Sequence, residues 1–231
     1  MQKKHLATSV SEAIARRRAV RAFLPDPINR AVVESILERA SLAPSGGNLQ
    51  PWIVHAIARP RLDALQAEIA ARILAGNYGD ESEYSVYPEN LWEPYRDRRR
   101  RAGKDRYAAL GVTDKNEEGR LDLLRRNYSF FRAPVGLFIC VDRRMGKPQW
   151  ADLGMFMQNV MLLAVEEGLD TCPQEVWSNW SRLIGSFLGL PEDHMLFAGI
   201  ALDRRDETDP LCAVPTVRAH ITDFTTFHGF E

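Results

Sequence analysis

The sequence predicts a single domain of the α+β or mixed α/β class. Three apolar runs, at 52–57, 135–141 and 195–202, have the length and continuity of buried strands. Between them apolar residues recur at helical spacing, and helices and strands intermix without a strict βαβ rhythm. A chain of 231 residues, 45% of them hydrophobic, can bury one large core without disulfides or a metal.

The elements follow in order. Ser9-x-x-Glu12 is a capping box, so a helix starts near Val10 and runs into Arg16, Arg17 and Arg18. Ile28, Val32, Val33, Ile36, Leu37 and Ala40 give a second helix one apolar face. It must end by Ala43, because Pro44 disfavours helix in the residue before it. The loop PSGGNLQPW at 44–52 leads into the first strand. Leu62, Leu65, Ile69 and Ile73 place another helix within 60–75. Residues 77–126 differ in composition: 11 acidic and 11 basic residues balance, and five of the six tyrosines lie there. Too long for a simple connection, this segment contains helix and reads as an insertion or lid. After the strand at 135–141, residues 150–167 form a central helix, apolar almost all round and ended by Gly168. A shorter helix at 178–188 precedes the third strand. Residues 204–231 carry little helical pattern and read as an extended arm, with a strand as the alternative.

Thirty Lys+Arg against 31 Asp+Glu leave a net charge of −1, too little for a long-range pull on nucleic acid or an acidic membrane. The run Arg98, Arg99, Arg100, Arg101 points all round a helix and has acids beside it, which argues against a nucleic-acid stripe. The longest uncharged apolar stretch, 135–141, is far short of a membrane span. The basic N-terminus has no apolar h-region; a first helix and an organelle transit peptide compete there. Cys140, Cys172 and Cys212 form no CxxC or zinc pattern, so no metal is expected, and the thiols fit a reducing cytoplasm.

Four arginines crowd one turn: Arg16, Arg17, Arg18 and Arg21. In a helix Arg17 and Arg21 share a face. They are either a solvated face with acidic neighbours or a phosphate clamp, whose oxygens suit the guanidinium fork. The loop at 44–52 is either a plain turn or a close backbone approach to a flat ligand. No Ser-His-Asp order, GxSxG, P-loop or GxGxxG occurs, which favours a cofactor that carries the chemistry itself.

Four motifs in order resemble one family. They are RR-x-x-R-x-F at 17–23, APSGGN-x-QPW at 43–52, DLGMF-x-QN at 152–159 and GLDTCPQ at 168–174. The tail DFTTFHGF at 223–230 and the stretch NYSFFRAP at 127–134 join them. Together they are similar to the FMN-dependent nitroreductases, nearest the branch acting on nitrobenzoates and other nitroaromatics.

The resemblance implies an α+β, nitroreductase-like fold: a mixed central sheet flanked by helices, in an intertwined homodimer with two FMN at its interface. One domain spans 1–231, with 77–126 as a lid over the flavin and 204–231 as a dimer-wrapping arm. Arg17 and Arg21, with Arg18 beside them, contact the FMN phosphate and ribityl chain, and Arg218 completes the phosphate site. Ala19 stands where many members have Ser. Pro44, Ser45, Gly46 and Asn48 approach the flavin from the other subunit. Asn127 and Asp152 bond polar atoms of the ring or ribityl chain. Pro173, Gln174 and Glu175 lie along the ring, with a backbone N–H near Glu175 directed at N5, so no side chain is catalytic. Val176 replaces a Gly common in other branches. Tyr84, Tyr87, Trp92, Tyr95 or Tyr107 stack on a small aromatic substrate. The implied activity is ping-pong hydride transfer from NAD(P)H to a nitroarene. The motifs do not choose between NADH and NADPH, and Arg98 to Arg101 are the candidates for reading a 2′-phosphate. Reductive dehalogenation of halophenols, with Glu81, Tyr84 and Lys104 in the lid, and quinone or enone reduction are the alternatives on the same fold. An RNA-binding protein is the non-enzyme alternative.

Overall fold

Four strands line up in the order β1-β2-β4-β3: β1 Ile53–Ala58, β2 Val135–Asp142, β3 Asp170–Gln174 and β4 His194–Asp203. The computed structural model describes residues 9–80, 82–113 and 116–230. All three strand pairs are antiparallel, and the β2/β4 register shifts between Ile139 and Cys140. The central strands β2 and β4 are covered on both faces, which is why they read as continuous apolar runs. On one face Phe138 and Cys140 join Phe130, Trp177 and Trp180. On the other, Leu137, Ile139 and Val141 join Ile36, Leu153 and Phe156. Rings of this size each contribute about 1.5–3 kcal/mol when fully buried.

The edge strand β3 was not among the expected strands. It has the sequence DTCPQ, with no apolar run to mark it. Its outer edge takes one bridge, parallel, from Ala19 to Thr171, and the Val20 N–H donates to the Thr171 carbonyl at 2.9 Å. The parallel part of the expected mixed sheet is this bridge alone.

The helices are α1 Val10–Arg16, α2 Arg30–Ala40, α3 Arg61–Leu74, α4 Tyr95–Ala109, α5 Glu117–Tyr128, α6 Lys147–Glu166 and α7 Ser181–Leu188. The Ser9 hydroxyl accepts from the Glu12 N–H at 3.2 Å, as a cap should. α1 then stops at Arg16, short of the expected Arg18. Arg17 is already extended, at φ −61° and ψ 124°, because the chain turns to bridge β3. The helix expected at 178–188 divides into a 3-10 turn, Glu175–Trp180, and α7. The arm carries 3-10 turns at Pro210–Ala213 and Ile221–Asp223 instead of a strand, and Arg205 makes one bridge to Phe23. Among the described residues no helix is long and apolar enough to cross a membrane.

Two glycines let the 3-10 turn sit down on the sheet. A Cβ at Gly136 would lie 2.6 Å from the Phe130 ring, and one at Gly199 would run into the Trp177 indole. With hydrogen in both places the two rings stack at 4.3 Å over the sheet.

Candidate active site

The chain leaves α1 at Arg17 and runs extended, so alternate side chains share a side. Arg17, Ala19 and Arg21 line one cavity of about 780 Å³. Arg18 turns the other way, donates to the Cys212 carbonyl at 3.5 Å, and lines a separate cavity with Arg16. The pairing of Arg17 with Arg21 therefore arises from a period of two rather than from a helix, and Arg18 is not beside them. A second wall is α4, whose Arg98, Arg101 and Asp105 lie on one helical face, with Arg106 next to them. The third wall is the arm, which brings Arg218 and Asp223.

None of these six arginines makes an ion pair among the described residues. Arg21 donates to the Ala19 carbonyl at 3.1 Å, and Arg218 to the Thr216 and Val217 carbonyls, both at 3.3 Å. Burial and then the charge of Arg218 pull the Arg17 pKa down. Burial and then Arg21 do the same to Arg106. Partly desolvated cations that repel one another are costly unless an anion enters. Each guanidinium carries five N–H donors in a planar fork, two of which can bond phosphate oxygens side by side. The cavity thus fits a phosphate monoester.

A second group gathers at the opposite edge of the sheet, where the loop enters β1. The Gly46 N–H donates to both carboxylate oxygens of Asp152, each at 3.3 Å, so this buried side chain on α6 anchors the loop. Ser45 Oγ accepts from the Gln50 N–H at 3.0 Å. Gly47, Asn48 and Gln50 have φ of 57°, 56° and 50°, a left-handed stretch that the glycine and the asparagine tolerate well. Pro44, Gly46 and Asn48 are exposed. In one chain, then, the residues expected to meet one flavin lie on two edges: Arg17 and Arg21 by β3, Pro44 to Asn48 and Asp152 by β1.

At the end of β3, Gln174 Nε2 donates to the Asn127 carbonyl at 2.7 Å. The Asn127 side chain itself donates to the Leu123 carbonyl at 3.0 Å, back into α5. Gln174 Oε1 is buried without a donor among the described residues. Glu175 reaches the surface, where neighbouring protein raises its carboxyl pKa by desolvation. Beneath it, burial pushes the Cys172 thiol up to about 11, leaving it neutral and unreactive at pH 7. No three His, Cys, Asp or Glu side chains gather as metal ligands do among the described residues.

The lid aromatics divide. Tyr84 is half-buried against Trp150 and Phe197, and its hydroxyl donates to the Phe197 carbonyl. Burial pushes that phenol up to about 12, so Tyr84 pins the segment. Tyr107 is partly buried in the core. Tyr87, Trp92 and Tyr95 are exposed, with Arg99 4.0 Å from the centre of the Tyr87 ring. Glu81 lies outside the described residues. The sequence reading missed Arg98, Arg101 and Arg106 as partners of Arg17 and Arg21. Their spacing of three and eight along a helix was the available signal.

Residues 14–202 match the family model described as Nitroreductase family. The chain belongs to the nitroreductase family. It is 34% identical over 226 residues to a 4-nitrobenzoate reductase of Pseudomonas putida, covering 98% of both chains. It is 34% identical over 218 residues to a chloronitrobenzene nitroreductase of Comamonas testosteroni, covering 94% of this chain and 96% of that one. The solved structure of the FMN and NADPH-dependent nitroreductase NfnB from Sphigopyxis sp. strain HMH superposes with a TM-score of 0.93 at 44% identity, over 96% of this chain and 100% of that one. The family and fold inferred from the motifs stand. In this nitroreductase the family match takes in Arg17, Arg21, the 44–50 loop and β3, while Arg218 lies beyond it.

Proposed function

We propose that this chain is an oxidoreductase that holds FMN and reduces nitroaromatic compounds with NAD(P)H. The cavity lined by Arg17, Arg21 and Arg218, none of them in an ion pair among the described residues, carries the reading, because it fits the phosphate of a flavin mononucleotide. The named activities of the two curated relatives support a nitroarene as substrate. FMN, when bound, supplies two-electron exchange with a nicotinamide and a nitro group. The protein's own part is to bind and orient. Arg17, Arg21 and Arg218 hold the phosphate, and Ala19 offers a methyl group where a hydroxyl would add a bond. Pro173, Gln174 and Glu175 flank the ring, Gln174 being fixed through the Asn127 carbonyl. NAD(P)H and nitroarene use the same open face in turn, a ping-pong order.

The two-edged placement supports a homodimer in which Pro44, Ser45, Gly46 and Asn48 of one copy complete the flavin site of the other. Exposed Leu42, Leu49, Phe224, Phe227 and Phe230 are apolar surface that such a partner would cover. We further infer one domain over 1–231, with 77–126 as lid and 204–231 as arm, since α4 and the arm wall the same cavity. Three buried thiols outside any disulfide suit a reducing cytoplasm.

The test is an absorbance spectrum of the purified protein, before and after anaerobic NADPH and then 4-nitrobenzoate. Flavin bands that bleach and then recover support the proposal. Bleaching without recovery would move the substrate to quinones, enones or halophenols. A protein that stays colourless after FMN is added back would sink it.

A further inference from the structure

We propose that Arg98 and Arg101, on the inner face of α4, form a second anion site that takes the 2′-phosphate of NADPH and makes this chain select NADPH over NADH. The proposal rests on the reading of NAD(P)H as reductant. Charge balance motivates it. Six arginines and two aspartates line the cavity, a surplus of four positive charges. A phosphate monoester brings about −1.5 to −2. One flavin phosphate therefore leaves about half of the surplus unanswered.

The arginines of α4 divide along its axis. Arg106 lies close enough to Arg21 for the two charges to repel, so it belongs with the inner group. Along α4, Arg101 and Arg98 stand five and eight residues before it. At 1.5 Å per residue that is about 7.5 and 12 Å further along the axis, so the pair lies toward the N-terminal end of α4. Arg98 and Arg101 are exposed, at the rim, where an arriving nucleotide reaches them. The two are three apart and so share a face, an arrangement that can grip one anion from two sides.

Neighbouring side chains favour a nucleotide over a simple carboxylate. Arg98 lies 5.8 Å from the centre of the Tyr95 ring. Tyr95 meets Trp92 edge to face at 5.5 Å, and both rings are left in water, 49% and 57% exposed. Aromatic faces beside a guanidinium pair are what an adenosine with a 2′-phosphate on its ribose needs: a stacking surface and two charged forks. NADH would gain the stacking and miss the forks.

Calorimetric titration of the FMN-loaded protein with adenosine 2′,5′-bisphosphate and with 5′-AMP tests this directly. The bisphosphate should bind at least about tenfold more tightly, the effect of a charge-assisted hydrogen bond. In R98A/R101A that preference should vanish, and the NADPH:NADH ratio of kcat/KM should fall about 10- to 100-fold. R98K/R101K, which keeps the charge, should restore part of the ratio. Equal binding of the two nucleotides to the unmodified protein, or an unchanged ratio in R98A/R101A, would overturn the proposal. So would loss of FMN from R98A/R101A, read by flavin fluorescence, since the two arginines would then belong to the flavin phosphate. An unmodified protein that prefers the bisphosphate yet never binds FMN would keep this site and sink the flavin reading.

Discussion

The two faces of α4 treat the same residue type in opposite ways. On the outer face Arg96 pairs with Glu93 and Arg100 with Asp97, both at 2.6 Å. On the inner face Arg98, Arg101 and Arg106 have no ion pair among the described residues, and across the cavity Arg17, Arg21 and Arg218 have none either. Elsewhere the chain spends carboxylates freely on arginine: Arg39 has two, and Arg126 has two. Surface pairs of this kind are worth little individually. Their absence on the inner face is the informative part. The two carboxylates that share the cavity, Asp105 and Asp223, pair with none of these arginines among the described residues, so the guanidinium forks stay open to a phosphate.

The largest effect should come from unpairing an arginine that the fold does pair. Asp170 is buried and accepts from Arg205 Nε at 2.9 Å and from the Arg205 backbone N–H at 3.2 Å. Asp170→Ala should cost about 3 kcal/mol in urea unfolding, the lower end for a broken buried pair because Arg205 keeps some solvent. A loss below about 1 kcal/mol would mean that the pair behaves like an exposed one and would blur the contrast. Next come the unpaired cations themselves. Arg21→Ala and Arg218→Ala should each weaken FMN binding by about 1.5–3 kcal/mol, measured by fluorescence titration. Unchanged affinity in both would remove the clamp and return the cluster to a solvated face. The smallest effect belongs to the outer face. Asp97→Ala should change stability by less than about 0.5 kcal/mol and leave the FMN affinity alone. A weakened FMN affinity there would show that the two faces are coupled.

Much of this was readable from the chain, and the failures have causes. The runs behind β2 and β4 are apolar because both faces are covered, and an apolar run is visible; β1 shows the same kind of run although only Ile57 is buried there. β3 stayed hidden because its neighbours supply what holds it: β4 on one side and the Ala19 bridge on the other. Arg17 and Arg21 were grouped by helical spacing and are grouped in fact by extended spacing. Both periods put them on one side, and only Arg18 distinguishes them. Asn127 and Asp152, expected at the flavin, have side chains that bond Leu123 and Gly46, an anchoring role that looks the same in sequence as holding a ligand. Arg98 and Arg101 of α4 stand out in the sequence as part of a block but were not joined to Arg17 and Arg21, because a helix with almost no apolar residues has no apolar stripe from which to judge which way it faces.

The hydrogen side chains of Gly136 and Gly199 bear on how this protein can be varied. Phe130 and Trp177 rest on them, and Trp177 belongs to the turn that begins at Glu175. A library built to widen the substrate range will gain nothing from randomising either glycine, because any larger residue there pushes on Phe130 or Trp177 and shifts the turn that carries Glu175. The exposed positions 87, 92 and 95 on the proposed lid carry no such penalty, and changes there leave the packing beneath the turn in place.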